Sequence, residues 1–171
     1  ALSGSAVRVE GGSAVAGNRA TRDGGGLYVG DAGSWAVVRD DAAVSNNTAA
    51  PTSGGGTATA RGGGVFLDAG RLELGLVAGG ACVLEGNSAR SSGGAVGAVR
   101  GAVVTAGSGC VLRGNAAAGG AGVFADASNA TLTGTLVHDN VASALSGAAA
   151  GSVSESGGGG GVAAAAAGPG A

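Results

Sequence analysis

The sequence predicts an all-β fold, namely a parallel β-helix solenoid of about five to six rungs, from three recurring features. An Asn followed two residues later by Ala occurs five times, an aliphatic residue lies three positions before each Asn, and a glycine cluster follows. The five asparagines are Asn18, Asn47, Asn87, Asn115 and Asn140. The steps between them are 29, 40, 28 and 25 residues, a period at which each repeat buries its apolar face only against its neighbours.

Each repeat contains a short β-prone stretch ending at the Asn, then a polar segment, a glycine cluster and a second β-prone stretch. Because strand side chains alternate between faces, the residues three and five positions before each Asn should both point inward. The residues five positions before are all small, and they are Ser13, Ala42, Cys82, Cys110 and Thr135. Glycine suits turns with positive φ, and an Asn can hydrogen-bond to the Asn of the next rung. We therefore predict Gly-rich turns and an Asn ladder along one corner.

The repeats divide the chain into a β-helix over residues 1–147 and a Gly/Ala-rich extension over residues 148–171. An insertion at about residues 51–61 accounts for the longest step, because a repeat array accommodates insertions in a loop on one face. We expect the extension to be loosely ordered, with a further partial rung as the alternative. Neither end shows an evident cap, which suggests a segment of a longer chain or assembly.

The composition limits the function classes. The 40 glycines without collagen spacing, together with few aromatic residues, favour a narrow interior filled by Ala, Val and Leu. A net charge of −2 without any Lys or basic stripe argues against a nucleic-acid partner. No apolar run reaches transmembrane length, and we expect no cofactor or metal. Trp35 is the aromatic candidate for a contact surface, although a Trp packed beneath a loop is the simpler interpretation.

The pattern of an apolar residue, two others, Asn, one other, Ala and then Gly-Gly before an aliphatic residue resembles the polymorphic outer membrane protein repeat. The resemblance extends over residues 6–147 in five copies, although the family's aromatic residue three before Asn is Val or Leu here. It implies a right-handed parallel β-helix of the pectin-lyase-like superfold. It also implies a surface or secreted protein, often adhesive, of the kind known from bacterial autotransporter passengers.

Cys82 and Cys110 occupy the same position of adjacent repeats, so their Cα atoms lie one strand spacing apart if the rungs stack in register. That spacing allows a disulfide. The alternative is a pair of free buried thiols that act as small hydrophobic residues in the core. The sequence favours the free thiols, because directly stacked positions often aim both Cβ atoms the same way.

Two asparagines, Asn46 and Asn129, match the N-glycosylation pattern Asn-x-Ser/Thr. Their use would need a eukaryotic secretory route. We expect Asn129 to lie in a loop and to be the better acceptor, because Asn46 directly precedes the ladder residue Asn47.

Asp31, Asp68 and Asp126 recur after the strand that follows the glycine cluster. Asp31 and Asp68 lie in neighbouring repeats and are weak catalytic candidates, since glycoside hydrolases use two carboxylates about 5–9 Å apart. The structural interpretation is that these residues end strands and begin turns. By alternation His138 should face solvent, and its sequence neighbour Asp139 should point in a different direction.

We expect a non-enzymatic structural or adhesive β-helix module of an extracellular or cell-surface protein. Its partners would be other protein subunits or surface glycans, with end-to-end assembly as one arrangement. The alternative is a polysaccharide-processing enzyme, either a glycosidase or a lyase, or an inactive relative. A third class is an ice- or surface-binding solenoid, which needs a flat array of threonines. The candidate threonines are Thr57, Thr59, Thr131 and Thr133.

Overall fold

The computed structural model describes residues 4–51, 59–76 and 80–143, together with the backbone of two strands at 152–156 and 162–165. All regular structure in these residues is β. Parallel sheets stack into a β-solenoid of about 4 turns. The predicted all-β parallel solenoid is therefore confirmed, whereas its handedness stays a prediction.

Each of four sheets takes one strand from each successive turn, and every strand pairs in parallel with its equivalent. The first sheet contains β1 (Ala6–Val9), β5 (Trp35–Val38), β9 (Arg71–Leu74), β13 (Val103–Ala106), β17 (Asn129–Thr133) and β20 (Ser152–Ser156). The second sheet contains β2 (Ala14–Ala16), β6 (Ala42–Ser45), β10 (Cys82–Glu85), β14 (Cys110–Arg113) and β18 (Leu136–His138). The third sheet contains β3 (Arg19–Ala20), β7 (Thr48–Ala49), β11 (Ser88–Ala89), β15 (Ala116–Ala117) and β19 (Val141–Ala142). The fourth sheet contains β4 (Leu27–Gly30), β8 (Val65–Asp68), β12 (Val96–Val99), β16 (Val123–Asp126) and β21 (Val162–Ala165).

The solenoid has fewer turns than the five to six predicted. The first sixteen strands make complete turns, because each consecutive set of four contributes one strand to every sheet. The fifth repeat contributes β17, β18 and β19 in the same order. The chain then departs from that order, since β20 pairs with β17 and β21 pairs with β16. The prediction was too high because it assigned a complete turn to every Asn and a further one to the extension.

The core is a narrow stack of small aliphatic side chains. The residues three before each Asn align in one row, in which Val44, Leu84 and Leu112 have no exposed surface. The residues five before also point inward and are buried, with one exception. Ser13 is exposed, because it precedes β2 in the first turn and no earlier turn covers it. Alternation therefore predicts the interior correctly wherever a turn has neighbours on both sides.

A second buried cluster, beside the glycine runs, consists entirely of alanines. Its members are Ala49, Ala60, Ala89, Ala117 and Ala121. Here the glycine run passes so close to the third sheet that a Cβ atom on Gly63 would lie 2.5 Å from the carbonyl of Ser88. Gly94 meets the backbone of Ala116 at 2.7 Å in the same way. Glycine is thus needed at these positions for close approach, whereas one glycine in each run, such as Gly62 with φ 66°, has the left-handed conformation.

All four aromatic residues lie at outward positions of their strands. Tyr28, Phe66 and Phe124 align with Gly97 in one outer row of the fourth sheet. Trp35 lies on the outer face of the first sheet. The interior accepts only one small side chain from each wall, so bulky rings are placed outside.

The predicted insertion at residues 51–61 lies mostly outside the described residues. The chain rejoins the fold at Ala60, whose carbonyl accepts a hydrogen bond of 2.9 Å from the backbone N–H of Ser91. The predicted boundary at residue 147 also lies outside the described part, as does most of the extension at 148–171. Among the described residues there is no helix that could span a membrane.

Candidate functional site

The asparagines form a continuous hydrogen-bonded ladder along one corner. Asn87 has no exposed surface, and its Oδ1 accepts hydrogen bonds of 3.0 Å from both the backbone N–H and Nδ2 of Asn47. Its Nδ2 donates to the Val44 carbonyl at 2.8 Å and to Asn115 Oδ1 at 3.0 Å. Every donor and acceptor of this buried amide therefore has a partner, which makes the ladder a structural element.

The two ends of the ladder are less enclosed. Asn18 is exposed and donates from its backbone N–H and its Nδ2 to Asn47 Oδ1 at 3.0 and 2.9 Å. At the other end, Asn140 accepts two hydrogen bonds from Asn115 and donates to the Leu112 carbonyl at 2.9 Å. The ladder thus joins all five repeats.

Cys82 and Cys110 are joined by a disulfide, with Cα atoms 4.5 Å apart. Both residues lie in register on β10 and β14 and are almost completely buried. The preference for free thiols is therefore not what the structure shows. The reason is that both inward-pointing side chains start from Cα atoms close enough to be bridged within the core.

The structure does not place the two candidate carboxylates at equivalent positions. Asp68 is in register with Gly30, whereas Asp31 lies one residue further on, in a turn, with φ 73°. Asp126 does share the position of Asp68, because both align with Val99 in the strand between them. The predicted neighbouring pair of Asp31 and Asp68 is thus displaced by one residue.

Asp68 instead belongs to a surface cluster with Tyr28 and Arg100. The Tyr28 hydroxyl donates to Asp68 Oδ2 at 3.2 Å, and the Arg100 guanidinium forms an ion pair with the same oxygen. This carboxylate is neutralised by a cation and held by a phenol, so its contacts fit a role in fixing the Tyr28 ring against the sheet.

Phe66 lies beneath this cluster and is 1% exposed although it points outward. The Tyr28 ring is 5.6 Å from its ring centroid, and the Arg61 guanidinium lies over the ring at 4.7 Å. Arg61 is held in turn by Asp23, with Nη2 and Oδ2 3.1 Å apart. The fourth sheet therefore carries a small packed layer outside the core.

His138 is half-exposed at the end of β18, and its Nδ1 lies 2.8 Å from Asp139 Oδ2. The expectation that the two side chains diverge is wrong, because Asp139 has φ 56° and its carboxylate folds back towards the ring. The nearest groups in the same outer row are Arg113 and Glu85, which form their own ion pair at 2.8 Å.

The two glycosylation candidates are both exposed and differ in their backbone setting. Asn129 is exposed, but it begins strand β17 and does not lie in a loop as predicted. Asn46 is also exposed; it has φ 54°, and its backbone N–H donates to the Glu85 carbonyl at 2.9 Å. Thr131 and Thr133 of β17 are exposed on the same face as Asn129, whereas Thr57 lies outside the described residues.

A cleft of about 360 Å³ opens on the outer face of the first sheet and is the strongest candidate for a binding site. Its walls are the segment 32–34 with Trp35 on one side and Arg71 with Glu73 on the other. The cleft exists because connections of unequal length are neighbours. Residues 31–34 connect β4 to β5, whereas only Ala69 and Gly70 connect β8 to β9 in the next turn. The longer connection therefore stands above the face of β9.

The cleft combines three different chemical groups. Trp35 and Arg71 lie in one outer row, and Glu73 lies in the next row on the same face of β9. Neither the Arg71 guanidinium nor the Glu73 carboxylate has a hydrogen bond or ion pair with another described residue. On the opposite side of Trp35, the Arg8 guanidinium lies 4.8 Å from the ring centroid and bonds to Glu10 at 3.4 Å. Sequence reasoning identified Trp35 and missed Arg71 and Glu73, because the cleft depends on the lengths of two connections.

Within the described residues, no group of three or more His, Cys, Asp or Glu side chains could hold a metal ion. Comparisons with protein-family models, with curated proteins and with solved structures find no match. The resemblance to the polymorphic outer membrane protein repeat therefore stays a prediction.

Proposed function

We propose that this chain is a non-enzymatic structural or adhesive β-helix module of a secreted or cell-surface protein. Its partners are other protein subunits or surface glycans, bound by the outer faces of the solenoid. The observation that carries the proposal is the buried disulfide between Cys82 and Cys110, which joins neighbouring turns.

A disulfide supports an extracellular location because cytosolic thiols are kept reduced, whereas secreted proteins form and retain such bonds. This bond lies in the core, where it locks one turn to the next and can serve stability. The buried Asn ladder adds a second lengthwise restraint. Together they produce a stiff support with outer side chains repeating at about 4.8 Å, which suits a module that binds through its surface.

The first test examines location and thiol state in the native source. Protease treatment of intact cells should cleave the protein, and blocking of free thiols under denaturing conditions should leave both cysteines unmodified until a reductant is added. An intracellular protein with two reactive thiols would contradict the proposal.

The second test examines binding and turnover together. The purified oxidised protein should adhere to cells or matrix without releasing shorter products from a panel of polysaccharides. Product release that is lost in Asp68→Asn but not in the exposed control Asp40→Asn would replace this proposal with the polysaccharide-processing alternative.

A further inference from the structure

We propose that the cleft between the segment 32–34 and β9 binds a neutral pyranose ring of a surface glycan. This inference rests on the proposed function, since it names the ligand class for one of the outer faces. The site consists of the Trp35 indole, the Arg71 guanidinium and the Glu73 carboxylate.

The size of the cleft fits a small ligand. Its volume of about 360 Å³ lies at the lower end of the range of about 300–1,000 Å³ that ligand pockets occupy. An open cleft on a sheet face also leaves room for a chain to continue on either side. One or two rings of a longer glycan therefore match it better than a large enclosed cofactor.

The donor and acceptor groups match a polyhydroxylated ring. Arg71 offers only donors, and the Glu73 carboxylate offers only acceptors. They are two residues apart on one strand face, so their Cα atoms are separated by about 6.6 Å. A sugar hydroxyl both donates and accepts, so hydroxyls on one ring can satisfy both side chains at once.

The charges of the cleft favour a neutral sugar. Arg71 and Glu73 carry opposite charges, and neither is compensated by another described residue. The further cation nearby, Arg8, already bonds to Glu10. An acidic sugar would gain from Arg71 but would bring its carboxylate towards Glu73, and the repulsion of like charges opposes that arrangement.

The aromatic wall is held in place before any ligand arrives. The Trp35 backbone N–H donates to the Ser5 carbonyl at 2.9 Å, and Arg8 lies over the ring from the β1 side. Arg71 and Glu73 of the cleft lie on β9, which pairs with β5 on the side opposite to β1. A fixed ring offers apolar surface to the C–H groups of a sugar with little ordering cost on binding.

The chain contains a single Trp, so its fluorescence reports on this cleft alone. Titration with short neutral oligosaccharides of glucose, galactose or mannose should give a saturable change in Trp35 emission. Oligomers of uronic acid should bind at least about tenfold more weakly. Arg71→Ala and Glu73→Gln should each weaken binding of the neutral sugar by about tenfold or more, measured by calorimetry.

The matched control is Arg113→Ala, which removes an exposed cation from the outer face of the second sheet. It should bind the sugar like the parent protein, and all variants should keep the parent far-UV spectrum. Absence of any saturable change, preference for uronic acid, or equal weakening by the control would overturn the inference. The proposed function would still stand in those cases if the protein is surface-exposed, oxidised and adhesive, because adhesion can then occur through another outer face and the other two assays do not involve the cleft.

Discussion

Replacing Gly63 by Ala tests why the repeat keeps a glycine run after Asn-x-Ala. The new Cβ atom would lie 2.5 Å from the carbonyl C and O of Ser88 and 2.6 Å from the Gly94 carbonyl oxygen. All three are backbone atoms, so no side-chain rotation can relieve the contact. Either the glycine run or β11 must move.

The cost follows from that movement. Overpacking of a closely packed site costs about 1–3 kcal/mol. Displacement also weakens the hydrogen bonds from Gly63 N–H to the Gly93 carbonyl at 2.9 Å and from Gly64 N–H to Gly94 at 3.0 Å. Each such bond contributes about 0.5–1.5 kcal/mol. We therefore expect Gly63→Ala to lower the free energy of unfolding by about 3 kcal/mol.

The control is Gly119→Ala, because a Cβ atom there meets nothing within 4 Å and the backbone is not in the left-handed region. That change should be neutral or stabilising by up to about 1 kcal/mol, since Ala restricts the unfolded chain. Urea unfolding followed by circular dichroism measures both variants. If both have midpoints within error of the parent protein, close backbone approach does not explain the glycine run.

Three further predictions concern stability and are measured in the same unfolding assay. Asn87→Ala removes the hydrogen bonds that the buried amide makes to the Val44 carbonyl and to two Asn47 donors, and should cost about 4 kcal/mol. Asn18→Ala at the exposed end should cost about 1 kcal/mol, and equal losses would contradict the ladder argument. Reduction of the disulfide opens a link spanning 28 residues and should cost about 3.5 kcal/mol, and an unchanged midpoint would refute this. Phe66→Ala should cost about 3–5 kcal/mol although the ring is outside the core, and a loss below about 1 kcal/mol would show that the outer layer is loosely packed.

The sequence predicts the fold well because the same alternation of inward and outward side chains recurs in every turn. The alternation that places Leu84 inward also places Cys82 inward. Asn87 lies beyond the turn at Gly86, which has φ 63°, and its burial agrees with the ladder expected from the recurring Asn. The state of the cysteines could not be predicted, since the direction of each Cβ depends on backbone angles that the pattern does not specify.

The error at Asp31 has a different origin. The segment between the glycine run and the Asp is one residue longer in this repeat than in the repeats of Asp68 and Asp126. Asp68 follows the last glycine of its run by four residues, and Asp126 follows Gly122 by four, whereas Asp31 follows Gly26 by five. Counting from the glycine run would have separated Asp31 from the others. The cleft was missed for the same reason, because strand ends must be known to the residue before unequal connections can be recognised.

The positions of the aromatic rings show where binding can evolve in this fold. The interior requires small side chains, and glycines such as Gly63 and Gly94 leave no room even for a Cβ atom, so neither region can form a pocket without breaking the repeat. Outward-pointing positions of the strands do not need small side chains, and all four aromatic residues of the chain lie at such positions. A regular outer face is nevertheless flat, so a concave site needs a local irregularity. The longer connection at residues 31–34 supplies one beside Trp35, and a binding site is therefore expected where the repeat is broken and not where it is kept.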